Sequence, residues 1–135
     1  MIHVHGNEGD DKMAAYSDIG ILTDIKQSLD EIPQEDTSFD LNILLHINAA
    51  LSRLNQLGIG PTTGLLISDD TTTWNDLVED TVVQGLARQF VLYSVKIGFD
   101  PPTSSFVLSA LQEMRKELEF SLAVEHDRMV NSDGV

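Results

Sequence analysis

The residues with the clearest capacity for chemistry lie at the amino terminus, where histidines and carboxylates come together in a short segment. They are His3, His5, Glu8, Asp10 and Asp11. Imidazole nitrogens and carboxylate oxygens are common metal ligands, but a metal site needs ligands that the fold holds in a fixed geometry. Residues 1–16 show neither a helical nor a strand period, so nothing in this segment would hold the ligands in place. We therefore interpret residues 1–16 as a flexible tail and predict no metal site.

A glycine-rich segment at 58–64 has a superficial likeness to a phosphate-binding loop. Its sequence is GIGPTTG. A P-loop carries a lysine and follows a strand, whereas this segment has no lysine, follows a predicted helix and lacks a backbone donor at Pro61. The segment is more typical of a helix stop followed by a turn, and we predict no cofactor.

The remaining candidates for catalysis are isolated from one another. His46 and His126 lie alone on predicted helices, and a catalytic histidine needs a second group to orient it. Asp69, Asp70 and Asp80 could form a carboxylate site, but acidic residues are so numerous that their proximity carries little information. The chain has no cysteine, which excludes a thiolate nucleophile and disulfide bonds. The sequence therefore predicts that the protein is not an enzyme.

The charge balance restricts the partners. The 135 residues contain 8 Lys and Arg against 22 Asp and Glu, which gives a net charge of −14. Such a charge repels nucleic-acid phosphates and anionic membrane surfaces, so sequence-independent binding to either is disfavoured. No apolar run approaches the roughly 18 residues of a transmembrane helix, and the first residues lack the basic-then-apolar order of a signal peptide. We expect a protein that spans no membrane and is not exported.

The elements that would position these residues are predicted to be helices. A stripe with helical spacing predicts a first helix over 17–30 and consists of Ile19, Leu22, Ile25, Leu29 and Ile32. A second helix is predicted to follow a cap at Thr37 or Ser38 and to end at Gly58. Its predicted inner face consists of Leu41, Leu44, Leu45, Asn48, Leu51, Leu54 and Leu57.

Two further helical runs follow. Thr73 can cap a helix that continues, or nearly so, over 74–97, and the glycine and prolines at 98–102 end it. The last helix is predicted to begin at 103–105 and to reach about Asp127. Its apolar stripe consists of Val107, Leu111, Met114, Leu118 and Leu122, and Phe106, Ala110 and Phe120 widen it.

The predicted fold class is all-α. It is a small bundle of four to five helices with a long C-terminal helix and one long loop at about 58–73. We predict a helical domain over 17–127 and a flexible tail over 128–135. The last helix and the loop are longer than one small core needs, so both are expected to contact partners.

Two residues are open to two interpretations each. Asn48 lies on an apolar face. It is either an amide of the core whose hydrogen bonds are satisfied, which we favour, or a polar residue that crosses an interface and fixes its register. Trp74, the only tryptophan, is either a buried anchor whose indole N–H meets a carbonyl or an interface hot spot.

Six strings of residues together resemble a known family. They are 36–40 (DTSFD), 46–51 (HINAAL), 54–60 (LNQLGIG), 67–70 (ISDD), 73–77 (TWNDL) and 93–102 (YSVKIGFDPP). In this order, and with a long helix after the last of them, they resemble the head–tail connector proteins (adaptor or head-completion proteins) of tailed double-stranded DNA bacteriophages. The resemblance covers residues 17–126, whereas the N-terminal tail departs from the family's pattern.

The resemblance implies a structural virion protein. Such proteins assemble beneath the portal after DNA packaging, as a closed ring of roughly a dozen copies. The ring completes the head, extends the DNA channel and receives the next head-completion or tail-terminator protein. DNA passes through it without sequence-specific binding. The implied location is the head–tail junction of the virion, with assembly in the host cytoplasm.

The resemblance also implies where the contacts lie. The long final helix and the C-terminal tail would engage the portal, and the loop at 58–73 would lie among subunit or channel contacts. The candidate interface residues are Leu65, Leu66, Ile67, Asp69, Asp70, Trp74, Phe120, His126 and Met129. The negative charge suits a channel wall along which DNA slides, because attraction would hold the DNA by counterion release.

Two other functions compete with this interpretation. An acidic protein-binding module, such as a DNA mimic or an inhibitor of a host factor, would carry carboxylates spaced like phosphates on one face. A metal-dependent enzyme would use Asp69, Asp70 and their neighbours. The absence of a catalytic pattern and the surplus length of the last helix favour the connector over both.

Overall fold

The protein is described by a computed structural model that covers residues 16–29 and 32–133. A single 3₁₀ turn, Tyr16–Asp18, precedes five α-helices. They are α1 (Ile21–Leu29), α2 (Asp40–Gln56), α3 (Trp74–Leu77), α4 (Thr81–Phe99) and α5 (Ser105–Asp133). The predicted all-α class is confirmed. Most of the predicted N-terminal tail, residues 1–15, lies outside the described residues, as do residues 134–135.

Helix α4 lies between α2 and α5 and packs against both. It runs antiparallel to α2, since the rings of Phe39 and Phe99 meet edge to face with centroids 5.7 Å apart. It also runs antiparallel to α5, since Arg128 near the end of α5 forms an ion pair with Asp80 just before α4. The core side chains of α4 are Val83, Ala87, Phe90, Val91 and Val95. Helix α4 is thus the central element of the bundle.

The buried face of α2 differs from the predicted one. The buried residues are Ile43, Leu44, Ile47, Ala50, Leu51 and Leu54. Leu41 and Leu45, which were predicted to face inward, are 84% and 66% exposed. The helix carries two aliphatic stripes, and the one with the β-branched Ile43 and Ile47 packs in the core. The other stripe remains uncovered in the single chain.

The start of α2 also differs from prediction. Neither Thr37 nor Ser38 caps the helix, and Phe39 at the N-cap position makes no side-chain cap bond. Ser38 instead donates its backbone N–H to the Asp36 carboxylate over 3.0 Å. This end of α2 is fixed by the buried Lys26, whose Nζ lies 2.9 Å from the Asp40 carboxylate. A charge contact from α1 therefore replaces the predicted cap.

The run predicted over 74–97 is divided into α3 and α4. Asp80 is the N-cap of α4 and accepts hydrogen bonds from the backbone N–H groups of Val82 and Val83, at 3.0 and 3.1 Å. A side chain that binds these donors favours a helix start over a helix interior, which explains the break before α4. Thr73 caps α3 as predicted, through a capping box with Asp76.

Helix α5 is longer than predicted. It has 29 residues, a length of about 43 Å, and continues to Asp133, beyond the predicted end at Asp127. Residues 128–133 are therefore helical rather than a flexible tail. No glycine or proline interrupts them, Arg128 pairs with Glu125 at 2.5 Å, and Met129 packs against the core. Among the α5 side chains that the structure describes, only Leu122 is fully buried.

Replacing Asp80 with alanine should lower the free energy of unfolding by about 1 kcal/mol at neutral pH, because α4 loses its cap. The hydrogen bond from the Val83 N–H and the contact with Arg128 hold the pKa of Asp80 below its ordinary value of 3.8. The carboxylate therefore stabilises the fold fully above that value, and this contribution is lost as the pH falls through the lowered pKa.

Urea unfolding of the wild type and Asp80→Ala between neutral pH and about pH 3 measures this difference. The gap between the two proteins should narrow as the pH falls. Glu79→Ala, at the exposed neighbouring position, is the matched control and should unfold like the wild type. An equal loss at Glu79, or a gap that does not depend on pH, would contradict the assignment of Asp80 as the cap.

Candidate interaction surfaces

The loop at 58–73 is anchored to α2 through Asn48. Its side-chain amide donates to the Ile67 carbonyl and its oxygen accepts from the Ile67 N–H, both over 2.9 Å. Ile67 itself is buried, whereas the preceding Leu66 is 77% exposed. Asn48 is therefore a satisfied amide of the chain's own packing, the favoured of its two interpretations. The loop is held in place and presents Leu66 to the outside.

Two aspartates hold the end of the loop, Asp69 through contacts within the loop and Asp70 through contacts with α1. Asp69 accepts hydrogen bonds from the Thr71 hydroxyl and backbone N–H, which lower the pKa of its carboxyl group. Asp70 accepts from the backbone N–H of Thr23 over 2.9 Å and also from its hydroxyl. Gly20 is required at this contact, because a Cβ there would lie 2.0 Å from an Asp70 carboxylate oxygen. Both aspartates thus have a structural task in the single chain.

Trp74 belongs to a polar network centred on the buried Asp24 carboxylate. Its indole Nε1 donates to the Asp24 carboxylate over 2.7 Å. Arg88 binds the same carboxylate with two nitrogens, at 2.5 and 2.8 Å, and its guanidinium lies 4.7 Å from the centroid of the Tyr16 ring. The hydrogen bond with Asp24 raises the pKa of Arg88. Trp74 is a buried anchor, although its partner is a carboxylate rather than the predicted carbonyl.

The outer side of α5 exposes large apolar side chains. Phe106 and Phe120 are 82% and 72% exposed, and Val124 is about half exposed. On the inner side, Met129 packs against the core and the His126 ring lies against Gly58, where a Cβ would come within 2.9 Å of the imidazole. Only one side of α5 is therefore used by the fold.

An open cavity of about 340 Å³ lies between α2, α4 and α5. Its polar rim includes Arg53, which contacts Glu119 over 2.7 Å, and Arg115, whose guanidinium lies 5.9 Å from the centroid of the Phe90 ring. The Glu119 contact raises the pKa of Arg53. His46 also lines this cavity. The cavity is a cationic site on an acidic protein.

A second open cavity, of about 500 Å³, lies beside the first turns of α5. It is lined mainly by apolar residues around the α4–α5 corner, among them Leu29, Ile32, Phe99, Pro101, Pro102, Val107 and Leu111. The predicted inward stripe of α5 therefore borders open space over its first turns. The first half of α5 is held less firmly by the core than the second half.

Residues 16–29 and 32–133 contain no group of three or more His, Cys, Asp or Glu placed to hold a metal ion. Within the same ranges, no helix has both the length and the apolar character needed to cross a bilayer.

Comparison with known families decides the class of protein. The family described as phage connector protein matches residues 21–129, from the first residue of α1 to the end of the packed part of α5. The chain belongs to the phage connector protein family. This confirms the resemblance seen in the sequence. No curated protein and no solved structure matches this connector.

The candidate interface residues of the connector occupy three environments. Exposed residues are Leu66, Asp69, Asp70 and Phe120; partly buried residues are Leu65, His126 and Met129; buried residues are Ile67 and Trp74. The two buried side chains have no surface to offer a partner in this conformation. Leu41 and Leu45 are exposed as well, although the helical period alone placed them in the core.

Replacing Asn48 with alanine should lower the free energy of unfolding by about 1–3 kcal/mol, because the Ile67 backbone groups lose both partners. Hydrogen exchange at residues 64–68 should accelerate, since the loop is no longer anchored to α2. Ser52→Ala, one turn further along the exposed side of α2, is the matched control. Unchanged exchange in Asn48→Ala would show that the loop is held by other contacts.

Proposed function

We propose that this connector forms a ring of roughly a dozen copies beneath the portal of the phage head. The ring completes the DNA-filled head, extends the DNA channel and joins the head to the tail through the next head-completion or tail-terminator protein. The family match over residues 21–129 carries the proposal. The protein acts as a structural component at the head–tail junction of the virion, after assembly in the host cytoplasm.

The surplus surface of the chain supports an assembly role. Helix α5 is about 43 Å long and buries little of its first half, and α2 leaves Leu41 and Leu45 uncovered. Single exposed apolar residues are ordinary, but unused faces on two long helices are typical of proteins that bind partners. The long α5 is the element proposed to engage the portal.

The charge distribution supports passage of DNA without retention. Most cationic groups that the structure describes are neutralised within the chain: Lys26 by Asp40, Arg88 by Asp24, Arg53 by Glu119 and Arg128 by Asp80 and Glu125. Few free cations remain to release counterions from phosphates, and the net charge of −14 opposes binding. A channel built from such subunits would let DNA slide.

Electron microscopy of portal-bearing, DNA-filled heads assembled without this protein tests the proposal. Addition of the purified chain should produce ring-shaped density beneath the portal and should reduce the loss of DNA from the heads. The same heads without the chain, and heads that lack a portal, are the controls. Heads that gain no density at the portal vertex would refute the ring, and would favour an acidic binding module that acts elsewhere.

A further inference from the structure

We propose that successive copies of the chain associate through two different surfaces, a donor face on α5 and an acceptor face on α2 and the adjoining cationic cavity. The donor face consists of Phe106, Glu113, Glu117, Phe120 and Val124. The acceptor face consists of Leu41, Leu45, His46, Arg53 and Arg115. This inference rests on the proposed ring and identifies which surface of one copy meets which surface of the next.

The apolar half of the acceptor face is an uncharged strip on α2. Leu41 and Leu45 are one turn apart and largely exposed, and Ala49 and Ser52 continue the same side of the helix. No carboxylate interrupts this strip, although the chain carries a net charge of −14. Two such chains repel each other over most of their surface, so an uncharged apolar strip is where they can approach closely.

The cationic half of the acceptor face is the cavity of about 340 Å³ between α2, α4 and α5. Arg115 lies partly buried there and forms no ion pair with any residue of 16–29 or 32–133. Carboxylates outnumber cations by 22 to 8, so an unpaired guanidinium is conspicuous in this chain. The planar donors of its guanidinium fit a carboxylate that another chain supplies.

The donor face offers the matching chemistry. At about 100° per residue, Phe106, Phe120 and Val124 lie within about 40° of one another around α5. Glu113 and Glu117 fall on the same stripe between them, and both are exposed. The face therefore combines aromatic surface for the leucines of the acceptor face with carboxylates for Arg115. Lys116 lies at the edge of the stripe, and Arg128, one turn after Val124, is already paired with Asp80 and Glu125.

The two faces point away from each other, so one copy can use both at once. Arg115 is nine residues after Phe106, which places it about 180° around α5. A contact between two different surfaces is heterologous, and its repetition gives a closed ring or an open filament rather than a two-fold dimer. The donor and acceptor faces therefore provide the kind of contact that a connector ring needs.

Cross-linking between single-cysteine variants tests the contact, because the natural chain has no cysteine. Leu45→Cys and Phe120→Cys are mixed in equal amounts at high concentration and treated with a short bis-maleimide linker. The mixture should give at least ten times more cross-linked dimer than either variant alone. Gln27→Cys with Thr62→Cys, two exposed positions outside both faces, is the matched control pair.

A charge exchange supplies a second readout. Glu117→Arg in the Phe120→Cys background, mixed with Leu45→Cys, should reduce the cross-linked product at least tenfold, and Arg115→Glu in the partner should restore much of it. Arg115→Gln removes the charge without reversing it, and circular dichroism of each variant shows whether the fold is retained. Together they separate loss of the contact from loss of the fold. A cross-link that is insensitive to these charges, or that equals the control pair, overturns the proposed faces.

The result on heads separates this inference from the proposed function. A ring beneath the portal without the 45–120 cross-link would leave the ring in place and refute these faces. The cross-link in solution without a ring on heads would support the faces and refute the location beneath the portal. Absence of both the cross-link and the ring would refute the proposed faces and the proposed location beneath the portal.

Discussion

Replacing Asp24 with alanine should lower the free energy of unfolding by about 3–5 kcal/mol, because it leaves a largely buried charge without its partner. Asp24 is buried and accepts hydrogen bonds from Trp74 and from two nitrogens of Arg88. The variant would leave the Arg88 guanidinium uncompensated and the indole N–H without an acceptor. The network joins α1, α3 and α4, so its loss should destabilise the whole domain.

Urea unfolding followed by circular dichroism measures this loss, and fluorescence of the single Trp74 reports on the network itself. Asp24→Asn is the matched variant, since it keeps an oxygen for Trp74 but removes the charge, and it should fall between wild type and alanine. The double variant Asp24→Ala/Arg88→Leu should recover part of the loss because no unpaired cation remains. A cost below about 1 kcal/mol in Asp24→Ala would contradict the network.

The presence of the long helices in this connector could be predicted from local rules, whereas the break before α4, the end of α5 and the packing of α2 could not. Gly58 and Pro101 mark helix ends because glycine and proline act on the backbone next to them. The period of α2 is compatible with two aliphatic stripes, one with Leu41 and Leu45 and the other with Ile43 and Ile47. The position of α4 determines which stripe is buried, and this position depends on tertiary packing that the helical period does not encode.

The buried polar contacts lay beyond sequence reasoning. The partners of Asp24 are Trp74 and Arg88, which lie 50 and 64 residues away along the chain. No spacing rule joins positions so distant. The same holds for Asn48, whose partner Ile67 lies across the loop. The apolar face of α2 marks Asn48 as unusual in the sequence, whereas its contact with Ile67 follows only from the fold.

The candidate surfaces show the same limit. Leu66 and Ile67 are neighbours in sequence, but the Asn48 bonds turn Ile67 inward and leave Leu66 exposed. In the sequence, Arg115 is one of several charged residues of the last helix and has no distinguishing pattern. It becomes informative only when the structure places it at a cavity with no carboxylate partner among the described residues. The composition predicts an excess of acidic residues, whereas only the three-dimensional structure shows which cation lacks an acidic partner.

Replacing Leu122 with alanine should lower the free energy of unfolding by about 2–5 kcal/mol, because it opens a cavity beneath α5. Leu122 is fully buried, and the other described side chains of α5 are at least partly exposed. The attachment of the long helix therefore depends on this position more than on any other. Chemical denaturation measures the change, and Val130→Ala, at a half-exposed position two turns later, should stay within about 0.5 kcal/mol of wild type.

Leu122→Ala should also affect assembly. This effect separates the role of Leu122 in attaching α5 from its contribution to overall stability. Arg115 and Glu119 lie on the turns of α5 before Leu122 and line the cationic cavity together with α2. If α5 loosens, the cavity loses its shape while the exposed Phe120 remains available. Leu122→Ala in the Leu45→Cys copy should therefore reduce cross-linking to Phe120→Cys. In the Phe120→Cys copy it should reduce cross-linking less, because that copy needs only the outer side of its helix. Equal effects in both copies would show that α5 acts as one unit whose two sides cannot be separated.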